Sequence, residues 1–316
     1  MVHASGLIAI LLSLLAGAGP GTTSIRDEPG EITVESWNIR FDNPADGPHA
    51  WPRRRDAVID HLEAGGIDVI GLQEVLPHQL SEIRKGLPGF EAFARSRERD
   101  GRRGEAVPIL WRRDRWRIDP GNSSHFWLSE TPDVPGSMSW NTACTRMVTV
   151  VRLEPVGSVE ATVPRRPIWV FNVHLDHRSA EARLNGARLL RSRIDDLAAT
   201  HPGEPIVVMG DFNTTPGSPP MVALCGPGED RGLRDAWATV ESRPKDAPRG
   251  TWNGWNSDAG TTPRERRIDL VLVQGLEVRS ADILRPTNDS GPLSDHWPVR
   301  AVLTVPGGRR SGVEGD

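Results

Sequence analysis

The chain has 316 residues, of which 37% are hydrophobic and 25% charged, and its formal net charge is −4. This composition is typical of a globular protein with a substantial core, and it excludes a mainly disordered, collagen-like or coiled-coil chain. The charge lacks the basic excess of a dedicated nucleic-acid-binding protein, although an enzyme can still hold a phosphate anion through a bound cation.

The N-terminal residues 1–24 are predicted to be a secretory signal peptide. Residues 7–15 form an apolar run that is short for a bilayer span, and the cleavage pattern Ala16-Gly17-Ala18 follows it. Because residues 1–3 contain no Lys or Arg, an uncleaved N-terminal anchor is the alternative. We therefore expect a secreted protein whose mature chain has no transmembrane domain.

Residues 25–305 are predicted to form one continuous domain, and the Gly-rich polar segment 306–316 is predicted to be a flexible tail. The chain has two cysteines, Cys144 and Cys225. In an exported protein they can form a disulfide, but two buried thiols are an equally good interpretation.

Short β-rich runs bounded by turn residues recur along this domain. The predicted strands are residues 32–37, 68–72, 109–111, 147–151, 167–174, 205–209, 268–273 and 297–303. Apolar residues at helical spacing predict helices over 52–64, 77–86 and 179–199, the last with Ser179 as its N-cap. Many short strands with a few helices predict two sheets packed face to face and covered by helices.

Polar side chains lie at or beside the ends of several predicted strands, where a core role explains them poorly. They are Asn38, Glu74, His174, Asp211, Asn213, Asp269, Asp295 and His296. Each alone has an ordinary explanation, such as a surface carboxylate, an Asx turn or a packed histidine, so the combination carries the prediction. Oxygen donors from Asn38, Glu74 and Asp295 suit Mg²⁺, Mn²⁺ or Ca²⁺. Two histidines with carboxylates nearby supply acid and base, which together match metal-assisted attack of water on a phosphorus ester.

Six segments resemble, in the same order, motifs of the endonuclease/exonuclease/phosphatase superfamily, which has the deoxyribonuclease-I-like fold. They are Ser36-Trp37-Asn38-Ile39-Arg40, Ile70-Gly71-Leu72-Gln73-Glu74-Val75, Asn172-Val173-His174-Leu175-Asp176, Gly210-Asp211-Phe212-Asn213, Arg267-Ile268-Asp269 and Ser294-Asp295-His296-Trp297-Pro298. Further segments around Trp51, Phe126 and Trp140 resemble a bacterial secreted subgroup. The resemblance implies an α+β fold, a four-layer α/β/β/α sandwich of two mixed, mostly antiparallel sheets flanked by helices.

The resemblance also implies a metal site and a water-activating group. Glu74, with Asn38 close by, corresponds to the main metal anchor, and Asp295 is similar to a further ligand. Asp211 corresponds to the residue that positions or deprotonates the attacking water, and Asn213 to one that holds this water or a phosphoryl oxygen.

Two His–carboxylate pairs are implied in the same way: His296 with Asp269, and His174 with Glu105. Each carboxylate would fix the tautomer of its imidazole and raise its basicity. Arg146 is predicted to clamp the phosphate, with an ordinary surface arginine as the equally weighted alternative.

The expected activity is divalent-metal-dependent hydrolysis of a phosphodiester or phosphomonoester, with no inferable protein partner. The chain has no Tyr, which disfavours the abasic-endonuclease type that shares an active-site Tyr. One substrate alternative is an extracellular nuclease of the deoxyribonuclease-I type, with basic surface from Arg53, Arg54, Arg55, Arg95, Arg97, Arg99, Arg102 and Arg103. Another is a sugar-phosphate or lipid-headgroup phosphatase walled by some of Trp51, Trp127, Trp140, Trp252 and Trp255, for at least half of which core packing is the better interpretation. A non-catalytic binding protein on the same scaffold is the remaining alternative.

Overall fold

The computed structural model describes residues 30–157, 166–226, 232–244, 247–257 and 266–304. The predicted signal peptide (1–24) and tail (306–316) lie outside these residues and stay predictions. The strands, in chain order, are β1 (Glu31–Asn38), β2 (Val69–Gln73), β3 (Phe90–Phe93), β4 (Ile109–Arg112), β5 (Trp116–Trp127), β6 (Met147–Pro155), β7 (Ile168–His174), β8 (Ile206–Asp211), β9 (Arg234–Asp235), β10 (Asp269–Gln274), β11 (Glu277–Ile283), β12 (Thr287–Asn288), β13 (Gly291–Pro292) and β14 (Val299–Thr304). The helices are α1 (Trp51–Ala64), α2 (Pro77–Gly86), α3 (Ala180–Thr200), α4 (Pro219–Cys225) and α5 (Ala236–Thr239), and a 3-10 helix at Pro44–His49 precedes α1.

Two six-stranded sheets carry the fold. The first sheet has the strand order β11-β14-β1-β2-β4-β3, and the second has the order β5-β6-β7-β8-β10-β9. Neighbouring strands are antiparallel except for one parallel pair in each sheet, β1 with β2 and β7 with β8. The prediction of two mixed, mostly antiparallel sheets is therefore confirmed.

Three apolar clusters hold the layers together. Trp297 and Met209 belong to the cluster between the two sheets. The outer face of the first sheet packs against α1 and α2, and that of the second against α3, through buried residues such as Leu62 and Leu190. Burying one such aliphatic side chain contributes about 1.5–3 kcal/mol, so helix packing stabilises the sandwich from both sides.

Helix α3 begins where the sequence predicts it. The Ser179 hydroxyl accepts a hydrogen bond from the amide of Ala182 at 3.1 Å, and Glu181 places a negative charge in the first turn. Both features stabilise a helix N-terminus by satisfying free amides and opposing the helix dipole.

A buried polar contact joins the two sheets near one end. Gln73 Nε2 donates to Asn172 Oδ1 at 2.7 Å, and Asn172 Nδ2 donates to the carbonyls of Leu72 and Pro108 at 2.7 and 2.8 Å. Because Gln73 and Asn172 are fully buried, losing one partner would leave unsatisfied polar groups in the core. This contact fixes how the sheets lie relative to each other.

The structure also bears on the two cysteines and on the number of strands and helices that the sequence predicts. Cys144 and Cys225 are free thiols, so the disulfide interpretation is not realised. Across the described ranges, no helix has both the length and the apolar character needed to cross a membrane. The sequence did not predict the edge strands β3, β5, β9 and β11, the short strands β12 and β13, helices α4 and α5, or the 3-10 helix.

Candidate active site

Strand register brings three of the predicted residues into one row on the second sheet. His174 is the last residue of β7 and lies opposite Asp211, the last residue of β8. Asp269 is the first residue of β10 and lies opposite Asp211 from the other side. Since neighbouring residues in register project to the same face, these side chains converge at one end of the sheet.

The first sheet delivers its polar residues to the same end. Asn38 ends β1 and lies opposite Gln73, the last residue of β2, so Glu74 follows directly. Asp295 and His296 precede β14, which runs antiparallel to β1. The site is therefore shared between the two sheets.

A cavity of about 480 Å³ lies where these strand ends meet. Of the ten predicted site residues, eight line it: Glu74, Glu105, Arg146, His174, Asp211, Asn213, Asp295 and His296. The other two, Asn38 and Asp269, are fully buried and contact the lining residues Asp211 and His296. Ten residues that lie far apart in the chain thus form one cluster.

Asp211 is at the centre of this cluster. Its Oδ2 accepts a hydrogen bond from Asn38 Nδ2 at 3.0 Å, and its Oδ1 accepts one from the amide of Asn213 at 2.9 Å. Its Oδ2 also lies 3.4 Å from His174 Nε2 and 3.9 Å from His296 Nε2. Burial, and then the nearby Asp269 carboxylate, raise the pKa of Asp211 to about 7.

The two imidazoles beside Asp211 have opposite tendencies to ionise. His296 Nδ1 lies 2.8 Å from Asp269 Oδ2, and although burial opposes its charge, Asp269 and Asp211 raise the pKa of His296 well above its ordinary value. Burial and the Arg146 guanidinium lower the pKa of His174 well below its ordinary value. A protonated and a neutral imidazole on either side of one carboxylate can act as proton donor and proton acceptor.

Glu74 and Asp295 form the carboxylate pair of the cavity. Glu74 Oε1 accepts from Asn38 Nδ2 at 3.1 Å, and its Oε2 accepts from the amide of Phe41 at 3.2 Å. Burial raises the pKa of Asp295. The positive charge of His296 opposes this shift, and the Glu74 carboxylate adds to it. Arg40, whose Nη1 is 3.8 Å from Asp295 Oδ2, is the cation beside this pair. Two acidic groups held together at one wall against mutual repulsion fit a hard divalent cation.

Backbone strain accompanies this wall of the cavity. Glu74 has φ 61°, Arg40 has φ 59° and Asn213 has φ 50°, all in the left-handed region that residues with a side chain rarely adopt. Such conformations persist where the surrounding structure fixes them, and they concentrate at functional sites. The strain is consistent with backbone held in place for ligand contact.

The structure differs from the sequence prediction at Asn38. Its Oδ1 accepts a hydrogen bond from the amide of Arg40 at 3.0 Å, so its side-chain nitrogen faces Glu74 and Asp211. Asn38 therefore bridges two carboxylates as a donor, and its oxygen is not turned towards the carboxylate pair as an oxygen ligand would be.

The structure also differs at Glu105. The structure shows no hydrogen bond or ion pair between the described residues Glu105 and His174; instead, Arg97 Nη1 lies 2.8 Å from Glu105 Oε2, and His174 Nε2 lies 3.4 Å from Asp211 Oδ2. Burial raises the pKa of Glu105, and the Arg97 charge opposes this shift. Sequence reasoning missed Arg97 as a site residue. The hydrogen bond of the Arg97 amide with the Glu105 carbonyl at 2.9 Å places the two residues across a hairpin, a contact for which the sequence carries no signal.

Arg146 is not an ordinary surface arginine. It is 5% exposed, lines the cavity, and its Nη2 lies 3.0 Å from His177 Nδ1. Its Nε lies 4.0 Å from Asp176 Oδ2 and is buried without a hydrogen-bond partner among the described residues. A buried guanidinium with donors to spare is suited to an oxyanion.

The candidate tryptophans divide into core and cavity residues. Trp51 and Trp127 are buried, as core packing predicts, whereas Trp252 lines the cavity and is 47% exposed. Trp140 and Trp255 are half-buried.

A family model described as the endonuclease/exonuclease/phosphatase family matches residues 36–296, a segment that contains all ten predicted site residues. The chain belongs to this family. The resemblance inferred from the six segments is thereby confirmed.

Solved structures and a curated protein show what this chain is similar to. An endonuclease/exonuclease/phosphatase family protein of Bacteroides thetaiotaomicron has a TM-score of 0.75 and 27% identity, with 88% of this chain and 99% of that chain covered. A mannosyl-6-phosphatase of Bacteroides thetaiotaomicron VPI-5482 has a TM-score of 0.74 and 27% identity, with 86% and 99% covered. The probable RNA exonuclease NGL3 of Saccharomyces cerevisiae is 23% identical over 224 residues, which are 66% of this chain and 42% of that protein.

The chain spans 30–60% of the length of the curated relatives that it matches. Among these relatives, two have names that state an activity, a mannosyl-6-phosphatase and a probable RNA exonuclease.

Proposed function

We propose that this protein is a divalent-cation-dependent phosphoesterase that hydrolyses its substrate by in-line attack of water. The observation that carries the proposal is the position of Asp211 between His174 and His296, beside the Glu74–Asp295 pair. This arrangement supplies a carboxylate to orient water, a proton donor, and two further carboxylates to bind a cation.

Glu74 and Asp295 would hold the cation, with Mg²⁺ or Mn²⁺ as the first candidates and Ca²⁺ as a further one. A bound divalent cation neutralises negative charge on the phosphate and so lowers the barrier to attack by water. The cluster Asp211, Asp269 and His296 also brings ligand atoms within 4.8 Å of one another, but a protonated His296 is a poor ligand.

The other side chains of the site would each have a separate role around the phosphate. Asp211, with Asn213 bonded to it, orients the attacking water. His296, kept protonated by Asp269, donates a hydrogen bond or a proton to an oxygen that gains charge in the transition state. Arg146 binds a non-bridging phosphoryl oxygen through its buried guanidinium.

A small phosphate ester, and first among these a sugar phosphate, is the proposed substrate. The cavity volume of about 480 Å³ falls in the range of small-molecule sites. The similarity to a mannosyl-6-phosphatase supports a phosphomonoester. A nucleic acid is the second candidate, supported by the similarity to a probable RNA exonuclease.

Several of the eight arginines in the predicted basic segments are buried or paired with a carboxylate. Arg54 is buried and donates to the backbone carbonyls of Ile39, Arg40 and Leu293. Within the second segment, Arg103 pairs with Asp100 at 2.6 Å and Arg97 with Glu105 at 2.8 Å. Charges neutralised in this way contribute little to binding a polyanion, which favours the small ester.

The test is a hydrolysis screen over hexose phosphates, nucleotides, plasmid DNA, RNA and sphingomyelin, with Mg²⁺ or Mn²⁺ and with EDTA. We expect release of phosphate from a phosphomonoester, loss of activity in EDTA, and loss in Asp211→Ala. The matched control is His78→Gln, because His78 is exposed and pairs with Asp42 outside the cavity lining. Activity that survives both chelation and Asp211→Ala would contradict the proposal.

Cation binding is measured separately, by calorimetric titration of Mg²⁺ and Mn²⁺. We expect one or more saturable sites in the wild type and weakened binding in Glu74→Gln. If the wild type takes up no cation and hydrolyses nothing in the screen, the non-catalytic binding alternative takes the place of this proposal.

Export is also proposed, on the apolar run and cleavage pattern within residues 1–24. Mass spectrometry of protein expressed with its full N-terminus should find a mature chain in the culture supernatant that lacks this segment. A full-length chain in the membrane fraction would support the uncleaved-anchor alternative instead.

A further inference from the structure

We propose that the indole of Trp252 is the platform on which the ring of a pyranose phosphate stacks during hydrolysis. The inference rests on the proposed phosphoesterase function and adds to it the residue that recognises the non-reacting part of the substrate. It assigns the substrate class as a six-membered sugar that carries a terminal phosphomonoester.

The exposure of Trp252 is the first observation. All eleven tryptophans lie in the described ranges, and Trp252 alone among them is exposed, at 47%. It also lines the cavity that holds Asp211 and His296. Leaving an indole in water forgoes the free energy of burying its apolar area, which a stacked ligand ring can recover. An exposed aromatic face at the mouth of a reaction cavity is therefore suited to an apolar ligand face.

Contacts of its backbone and of its ring position Trp252. The amide of Trp252 donates to the carbonyl of Arg266 at 3.3 Å. Gly254 has φ 58° and packs against the six-membered ring of the indole, since a Cβ built on this glycine would lie 3.2 Å from a ring carbon. A side chain at this position would strain the left-handed backbone and press on the indole. A platform fixed before the ligand arrives loses little conformational entropy on binding.

Trp252 is anchored to the segment that supplies the reacting groups. It forms an antiparallel β-bridge with His296. The amides of Asn253 and Gly254 donate to the carbonyl of Asp295 at 2.8 and 3.1 Å. Its position relative to the phosphate is therefore set by the same backbone that positions the proton donor and a candidate cation ligand.

This proximity favours the first ring beyond the ester oxygen as the one that meets Trp252. In a hexose 6-phosphate the ester oxygen is bonded to the exocyclic C6, and the next group is the pyranose ring, whose C–H face is apolar enough to cover an indole. In a nucleoside 5′-phosphate the base lies beyond the ribose and thus farther from the reacting phosphorus. A residue bridged to His296 is placed for the first ring, and so we assign it to the sugar.

The test compares ring and ring-free phosphomonoesters in steady-state kinetics of Trp252→Ala and Trp252→Phe. For a hexose 6-phosphate, Trp252→Ala should raise KM about tenfold with kcat changed less than about twofold, because stacking contributes alike to ground and transition states. With glycerol 1-phosphate, which has no ring, KM should stay within about twofold. Trp252→Phe, which keeps an aromatic face, should recover most of the loss. The matched control is Val222→Ala, an exposed apolar residue of α4 that does not line the cavity.

Three results would overturn the inference. Equal losses on both substrates would assign Trp252 to holding His296 in place. Losses confined to nucleoside monophosphates would assign it to a base. Unchanged kinetics in Trp252→Ala would show that nothing stacks there.

A binding measurement separates failure of this inference from failure of the proposed activity. If the wild type hydrolyses no phosphomonoester, a hexose 6-phosphate is titrated against Asp211→Asn with and without Trp252→Phe while tryptophan fluorescence is recorded. Saturable quenching that the second substitution removes supports the platform even without turnover. No saturable signal in either protein contradicts it.

Discussion

Asn38 donates its side-chain amide to Asp211 at 3.0 Å, and this bond joins the last residue of β1 in one sheet to the last residue of β8 in the other. The same nitrogen donates to Glu74 at 3.1 Å. One buried amide therefore connects the carboxylate proposed to hold a cation with the carboxylate proposed to orient water.

Asn38→Ala tests this connection. Without the shared donor, the carboxylates of Glu74 and Asp211 lose their common partner and repel each other, so we expect kcat to fall by about 100-fold or more. Steady-state kinetics with circular dichroism as a folding check would measure it. The control is Asn122→Ala, at an exposed asparagine in β5. A kcat within about threefold of the wild type would show that the bridge is not needed for turnover.

Asp211→Asn should stabilise the cation-free protein at neutral and higher pH. Because burial and Asp269 raise the pKa of Asp211 from 3.8 to about 7, the folded protein keeps a proton that the unfolded chain releases near pH 4. The free energy of unfolding therefore falls as pH rises from about 4 to 7, by on the order of 2–4 kcal/mol. The amide removes this ionisation and with it that part of the pH dependence.

Urea unfolding of both proteins in EDTA, at pH 5 and pH 8, measures this effect. The stabilisation by Asp211→Asn should be larger at pH 8 than at pH 5. A variant that is less stable than the wild type at pH 8 would show that ionised Asp211 is well solvated or fully paired.

Asp269→Asn should shift the pH dependence of kcat. Burial lowers the pKa of His296 but Asp269 and Asp211 raise it above its ordinary value, so removing the Asp269 charge lowers it. If turnover needs protonated His296, the fall of kcat on the alkaline side should begin at a lower pH in the variant. We also expect kcat at the optimum to drop by about 100-fold or more, as for other general-acid partners. If kcat of the variant falls over the same alkaline pH range as kcat of the wild type, a different group transfers the proton.

The Arg97–Glu105 contact can be tested by a double-mutant cycle. If Glu105 acts through its 2.8 Å ion pair with Arg97, then Arg97→Gln and Glu105→Gln should reduce kcat/KM without adding in the double variant. The expected coupling free energy is about 1–3 kcal/mol. A matching cycle of Glu105→Gln with His174→Gln should be closer to additive. The reverse result would restore the pairing of Glu105 with His174 that the sequence motifs imply.

Much of the site was predictable because its residues lie in motifs at strand ends. Asp211 and His174 follow continuous apolar runs, and such buried parallel strands are the easiest strands to recognise. Register then brings their last residues together without any further information. The contact between His296 and Asp269 was likewise expected, and the structure places the two side chains 2.8 Å apart.

Edge strands escaped prediction for a physical reason. Strand β5 borders the second sheet, is largely exposed along its middle, and has a register shift between Asp119 and Ser124 that includes Pro120-Gly121. Strand β11 borders the first sheet and alternates exposed and half-buried residues. Edges carry charges, proline and bulges that discourage aggregation, so their sequences resemble loops.

The partner of a charged side chain was the least predictable feature. Glu105 has two possible neighbours, His174 and Arg97, and spacing along the chain does not rank them. The hairpin that carries Arg97 next to Glu105 decides the outcome, and it depends on tertiary packing. For the same reason, the sequence did not separate buried Trp51 from exposed Trp252.

The strand order of the first sheet determines when, during synthesis and folding, the two halves of the candidate site can meet. Strand β14 lies between β1 and the edge strand β11, so β11 has no neighbour in the first sheet until β14 pairs. Asp295 and His296 lie just before β14 in the chain, so they are synthesised immediately before that strand. A growing chain can thus pair the whole second sheet, with His174 and Asp211 in place, before β14 has joined β1. The two-sheet site that we propose for hydrolysis is complete only once that strand pairs.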